Sequence, residues 1–436
     1  MIHREELQNW IDPEKIAHYL SSIFGEEGLS WLDSDGNENG EWSIIGVNPK
    51  SVICCKGIRS SSSQKDNPFT QLKNIKEGFW IGWISFESAA WLEPKTSWHQ
   101  NQISSLWIAS YDPIIKFNLI EKKIIIEGSN KKKVLKYKNL LMKFKSQNIK
   151  STKLEFDFSK INMDVISKTF QNNILKIKKL ISKGDIFQIN ITTKCEINTI
   201  KKYKILNIYS KIRKNLRAPF GGIIINNSKF KREAVLSTSP ERFLKLDNQR
   251  YVETRPIKGT RPRDTNKTID NLNAIDLITN EKDRAENIMI VDLLRNDLGK
   301  VCEIGSIFVP ELLKLESYLK VHHLTSVVRG RLKQNKTWVD LLSACWPGGS
   351  ITGAPKLRSC QRIFELEDSE RGPYCGSFLK IDWDGSFDSN ILIRSYVVNE
   401  QKISTYAGCG IVSDSNAKNE YEELKWKLLP LINALK

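Results

Sequence analysis

Short aromatic and β-branched runs, each broken within a few residues by glycine, proline or aspartate, fill the first third of the chain and commit it to sheet. EWSIIGVNP (41–49), GFWIGWISFESAAWL (78–92) and LWIASYDPIIKFNL (106–119) predict strands joined by turns and loops. RSSSSQKDNPF (59–69) reads as a polar loop, and KKIIIEG (122–128) as a strand leading into a lysine-rich amphipathic stretch. The polar segment KSQNIKSTKLEFDFSK (145–160) is the candidate boundary between a first region, 1–150, and a second, 160–436.

The second region mixes helices with strands. DVISKTFQNNILKIKKLISKGD (164–185) carries apolar residues at helical spacing, with Gly184 as its C-terminal stop, and DIFQINITTKCEI alternates like a strand. NEKDRAENIMIVDLLRNDLGK (280–300) predicts a long helix stopped by Gly299, and NAKNEYEELKWKLLPLINALK a closing one. YCGSFLKIDWDGSFDSNILIRSYVV (374–398) predicts hairpin strands around Asp384-Gly385. A chain of 436 residues buries a sizeable core, either as one large intertwined domain or as two subdomains.

The net charge of +17 fits nucleic acid, an acidic membrane or an anionic small substrate. The lysines are spread along the chain, and no nucleic-acid module accompanies them, so neither nucleic acid nor membrane is expected as a partner. The eight cysteines show neither C-x-x-C nor zinc spacing and read as reduced thiols. With no signal-peptide core or transit character at its N-terminus, the protein is expected to be cytoplasmic.

Several residue groups could carry chemistry. Asp283 and Glu286, like Glu420 and Glu423, lie three apart, which places each pair on one helix face. They read either as oxygen ligands for Mg²⁺ or as surface acids paired with Lys282, Arg284, Lys425 or Lys427. Arg255, Arg261, Arg263, Arg394, Lys356 and Lys427 could hold an anion, helped by the glycine-rich GGSITG and AGCG. His322, His323 and Glu241 each admit a structural reading. Lys258 sits in ETRPIKGTRPR (253–263), where Pro256 and Gly259 predict a tight turn that has no need of a lysine.

GDIFQIN, STSPERF, ETRPIKGTRPR, DRAENIMIVDLLRNDLGKVC, VHHLTSVVRG, PGGSITGAPKLRS, ERGPYCGSF, ILIRS, YAGCGIVSDS and NEYEELKWK follow one another in this order. Together they resemble the chorismate-utilising enzymes over about residues 184–427, and WLDS with EWSIIGVNP resembles the N-terminal half of anthranilate synthase and aminodeoxychorismate synthase large subunits. The resemblance implies an α+β fold, with two large β-sheets packed together and flanked by helices, and Mg²⁺-dependent chemistry on chorismate.

Residue by residue, it implies Glu286 and Glu423 as principal Mg²⁺ acids, with Asp283 and Glu420 as helpers. Tyr374 and Arg394 match contacts to the enolpyruvyl carboxylate, with backbone help from Gly408 and Gly410. Lys427 matches a lysine near the ring carboxylate, His323 lines the ring, and Ser350 and Thr260 belong to the substrate-binding set. Gln188 stands where water-adding members carry a lysine base, which implies ammonia as nucleophile. Lys258 stands where anthranilate synthases read PIAGT and is similar to the nucleophile of aminodeoxychorismate synthases. A lowered pKa would let its amine attack C2 of chorismate while Glu241, held protonated, assists departure of the C4 hydroxyl.

Glu423 is followed by Leu-Lys-Trp-Lys rather than the usual Thr-x-Asn-Lys, which puts the bonding around that acid apart from the family pattern. No G-x-C-x-G elbow is present, so ammonia is expected from solution or from a separate glutamine amidotransferase (glutaminase) subunit docked on this chain. By the same resemblance WLDS (31–34) lies where related large subunits bind tryptophan; the residues alone read as a plain core strand and loop. Anthranilate synthase is the alternative activity, and a basic nucleic-acid-binding protein the non-enzymatic one.

Overall fold

The computed structural model describes residues 1–37, 40–57, 66–144, 153–227, 231–318 and 321–436. Most of the predicted polar loop at 59–69, and the first half of the candidate boundary at 145–160, fall outside them.

The β-rich runs assemble into a twelve-stranded and a ten-stranded sheet. The larger runs from the edge strand His3–Leu7 through Lys123–Gly128, Ile114–Asn118, Trp42–Gly46 and Ser30–Asp33. It continues through Phe220–Ile225, Glu233–Ser239, Ser395–Asn399, Lys402–Ile411 and Gln188–Thr199 to Gly353–Ala354. The smaller runs from Ile257–Pro262 through Val321–Arg331, Tyr251–Thr254, Arg242–Leu246, Phe387–Asn390 and Ser377–Ile381 to Phe79–Ile84, Leu106–Tyr111 and Ser51–Cys55. Strands on both sides of the 145–160 segment share each sheet: Ser30–Asp33 pairs antiparallel with Phe220–Ile225, and Phe79–Ile84 with Ser377–Ile381.

Alternation within single strands explains the layering. Ile224 and Val235 belong to the core between the sheets, beside Trp83, Trp107, Leu244 and Leu379. Their neighbours Ile223, Ile225, Ala234 and Leu236 point the other way, into a second core under the helices Pro13–Phe24, Lys131–Met142 and Ile205–Leu216. A strand buried on both faces needs apolar residues at every position, and III (223–225) supplies them. Trp83 and Trp107 are cross-strand partners stacked at 5.3 Å, both fully buried.

The helices form close to the predicted bounds: Met163–Ser182, followed by Gly184 at φ 72°, Glu281–Gly299 and Ala417–Asn433. The expected hairpin around Asp384-Gly385 forms, and the later part of 374–398 leaves it for the other sheet. Ser377–Ile381 and Phe387–Asn390 pair in the smaller sheet, then the chain crosses at 391–394 and Ser395–Asn399 joins the larger. Trp31–Asp33 of WLDS lie in the strand Ser30–Asp33 and Ser34 follows it, with Trp31 buried and Asp33 held by Arg213 and Tyr209. Among the described residues no helix is long and apolar enough to cross a membrane.

Candidate active site

Two adjacent crossings between the sheets carry the first site residues. The chain leaves Glu233–Ser239 for Arg242–Leu246 at Pro240-Glu241, and returns at Ile391–Arg394. The crossings are stitched by Ile391 N donating to Glu241 O (3.0 Å) and Thr238 N donating to Arg394 O (3.0 Å). Glu241 is only 5% exposed. Burial pushes its carboxyl up to about 7, against a bond from Ser350, the charge of Lys258 and the Ile257 amide. Arg394 has φ 49°, and burial pulls its guanidinium below the usual arginine range. Among the described residues no carboxylate forms an ion pair with it, which leaves a desolvated cation ready for an anion.

The segment 253–263 ends the strand Tyr251–Thr254 and continues as the bulged edge strand Ile257–Pro262 rather than forming a tight turn. Ile257–Pro262 pairs with Val321–Arg331, and the register shifts between Ile257↔Thr325 and Thr260↔His323. Gly259 at φ 82° supplies the irregularity, and a Cβ there would lie 2.7 Å from Leu277 Cδ1 and 3.0 Å from Asp283 Cγ. Bulges re-aim side chains beside active sites. Here Lys258 Nζ donates to Ser350 O at 3.1 Å, and its charge reaches Glu241, Glu286 and Glu423. On the paired strand His323 Nδ1 lies 2.9 Å from Thr260 Oγ1. Burial, with help from the Arg394 charge, holds this imidazole down at about 3, so it is neutral near pH 7. His322 is engaged elsewhere, by Asp270 and Ser317.

The acids come from two capped helices. Asn280 accepts from Asp283 N, and Asn416 accepts from Lys418 N and Asn419 N, so Asp283 and Glu420 lie in the first turns and Glu286 and Glu423 one turn further on. A 2.5 Å ion pair from Lys282 to Glu420 Oε1 brings the helices together. Asp283 is bound by Arg261 at 2.9 Å, and Glu423 by Lys427 at 2.7 Å, whose Nζ also donates to Gly408 O. Burial raises Glu286, although Lys258 and Lys282 oppose it. Burial also raises Asp283, against Arg261. For Glu423 burial acts upward too, but Lys427 wins and the carboxyl titrates below its usual value.

Lys282 and Lys427 do pair with Glu420 and Glu423, as the surface reading expects, yet Glu286 and Glu420 are buried. The donor set fits a hard divalent ion. Glu420 Oε2 and Gln188 Oε1 are buried without hydrogen-bond partners. A Cβ on Gly410 would fill space 2.8 Å from Gln188 Nε2 and 3.3 Å from Glu286 Oε2.

Tyr374 is buried and stacked on Tyr406 at 4.8 Å, against the strand that carries Gly408 and Gly410. Other cations expected to hold an anion are consumed. Arg255 pairs with Glu311 and Glu316, Arg263 with Asp270, and Lys356 with Asp297. Sequence reasoning missed Arg371, which is buried and donates to Glu367, Asn190 O and Ile351 O, tying the strand opposite Gly410 to the turn holding Ser350. Its signal was the four-residue spacing from Glu367, which looks like any surface pair.

A family model described as chorismate binding enzyme matches residues 34–433. The chain belongs to this family. It is 39% identical over 260 residues to aminodeoxychorismate synthase component 1 of Salmonella typhimurium, covering 60% of this chain and 56% of that protein. It is 30% identical over 466 aligned positions to anthranilate synthase component 1 of Synechocystis, covering 97% of this chain and 89% of that protein. The crystal structure of anthranilate synthase component I from Streptococcus pneumoniae superposes with a TM-score of 0.74 at 25% identity, covering 92% of this chain and 93% of that one. The chain spans 28% to 56% of the length of the first curated relatives it matches.

Proposed function

We propose that this protein is an aminodeoxychorismate synthase component I, converting chorismate and ammonia to 4-amino-4-deoxychorismate for p-aminobenzoate and folate synthesis. The observation that carries the reading is Lys258, aimed by the bulge between Glu241 and the acid set. Its amine adds at C2 of the ring as the C4 hydroxyl leaves, protonated by Glu241, whose burial keeps a proton available near pH 7. Ammonia then adds at C4 and the lysine is expelled, which regenerates the amine. Arg394 and Tyr374, with the Gly408 and Gly410 backbone, orient the enolpyruvyl carboxylate, while neutral His323, Thr260, Ser350 and Lys427 surround the ring. Gln188 carries no proton-abstracting amine, which favours ammonia over water. Glu286 and Glu423, with Asp283 and Glu420, would hold Mg²⁺, which when bound supplies charge neutralisation for the ring carboxylate. A separate glutaminase subunit in the cytoplasm would supply the ammonia.

The nearly full-length match to anthranilate synthase component 1 favours a second reading. Incubation of the purified chain with chorismate, Mg²⁺ and excess ammonium at mildly alkaline pH, followed by chromatography and mass spectrometry, separates them. 4-Amino-4-deoxychorismate without pyruvate is expected. Anthranilate with pyruvate would overturn the assignment, and salt-dependent nucleic-acid binding without turnover would point to the non-enzymatic alternative.

A further inference from the structure

Cys409 lies between Gly408 and Gly410 on the strand Lys402–Ile411 and is buried. Its thiol donates to the Glu420 carbonyl at 3.4 Å. Glu420 and Glu423 each bring a carboxylate oxygen to within 4.8 Å of Cys409 Sγ and of each other. Lysines hold only Oε1 of each acid, Lys282 that of Glu420 and Lys427 that of Glu423. The other oxygen of Glu420, a residue 2% exposed, is buried with no hydrogen-bond partner.

We infer that Cys409, Glu420 and Glu423 form a site for a thiophilic divalent ion, with Zn²⁺ the best match. A thiolate with two carboxylates selects Zn²⁺ over Mg²⁺, because the soft sulfur contributes little to a hard ion. Tetrahedral Zn²⁺ with these donors needs ligand atoms about 3.5 Å apart, and the three already lie within 4.8 Å of one another, so a small side-chain closure completes the set. Binding forms a Zn–S bond as the thiol proton passes to solvent, with no redox change. The Glu423 side chain, 45% exposed, provides the entry path. The two neighbouring ammonium groups oppose a cation and keep affinity moderate. The set shares Glu420 and Glu423 with the proposed Mg²⁺ acids, so the two ions compete, yet the site does not depend on that reading.

Co²⁺, a spectroscopic substitute for Zn²⁺, tests the site directly on the full chain in the absence of chorismate. Wild-type protein should show a thiolate-to-cobalt charge-transfer band that Zn²⁺ abolishes at one equivalent. Cys409→Ala should lose the band and bind Zn²⁺ at least tenfold more weakly by calorimetry, whereas Cys54→Ala should change neither. A wild-type spectrum without the band, or a band that survives Cys409→Ala, overturns the inference. Should Cys409→Ala fail to fold, Zn²⁺ protection of Cys409 from alkylation in partly denatured wild-type protein, mapped by mass spectrometry, decides the question; equal labelling with and without Zn²⁺ counts against the site. A protein that shows the band but no Mg²⁺-dependent turnover would sink the proposed function and leave this site standing.

Discussion

Lys258 was visible in the sequence as a residue with no local reason to be where it is; what it faces was not visible. The Pro/Gly content suggested a turn, whereas pairing with Val321–Arg331 pulls the segment into a bulged strand. Turn chemistry and bulge chemistry both use a glycine at positive φ, so only the partner strand separates them. Lys258→Ala should reduce 4-amino-4-deoxychorismate formation on the order of a hundredfold or more, read by product chromatography. Unchanged turnover would remove the covalent role. Glu241 makes a pH prediction whose sign follows from burial. Its carboxyl is raised to about 7 in the native chain, so the unfolded chain loses the proton first. The resulting stability is present below the ordinary carboxylate range and is lost as pH rises through about 7, to a limit of about 3 kcal/mol. Glu241→Gln should therefore lose less melting temperature than wild type between about pH 5 and pH 8. Parallel melting curves would show that Glu241 ionises as a solvated acid does.

At the scale of elements, the helices were legible because caps, apolar spacing and terminal glycines are local signals. The i, i+3 acid pairs were legible too, but not that the first turns of Glu281–Gly299 and Ala417–Asn433 meet. That meeting rests on the strand Lys402–Ile411, whose glycines open space beside Gln188 and Glu286. Glu286 is the acid in which burial and function conflict most directly: burial raises its carboxyl, and among the described residues no lysine bonds to it. Glu286→Gln should raise the melting temperature in chelator, because a neutral side chain avoids desolvating a charge, and should weaken Mg²⁺ binding at least tenfold by calorimetry. Tighter or equal Mg²⁺ binding would remove Glu286 from the ligand set.

Over the whole molecule, the two sequence regions contribute strands to both sheets, and the Trp83–Trp107 pair from the first packs in the same core as Leu244 and Leu379 from the second. A fragment of residues 151–436 would expose the edges of Phe220–Ile225 and Ser377–Ile381 together with the apolar faces behind them. It should aggregate or lose its near-ultraviolet circular dichroism; a soluble monomer with one cooperative unfolding transition would show that the second region folds alone. The sequence by itself determined the element types, the sheet-rich class and, through ordered motifs, the family, because alternation, caps and short catalytic runs are written in neighbouring residues. Tertiary structure alone decided that Glu241 and Arg394 lie on adjacent crossings between sheets. It also decided which of several cations escapes pairing, and that Cys409 reaches two carboxylates from another element. Those facts depend on strand register and desolvation, and both arise only when separate elements, whether a dozen or more than a hundred positions apart, are packed against one another.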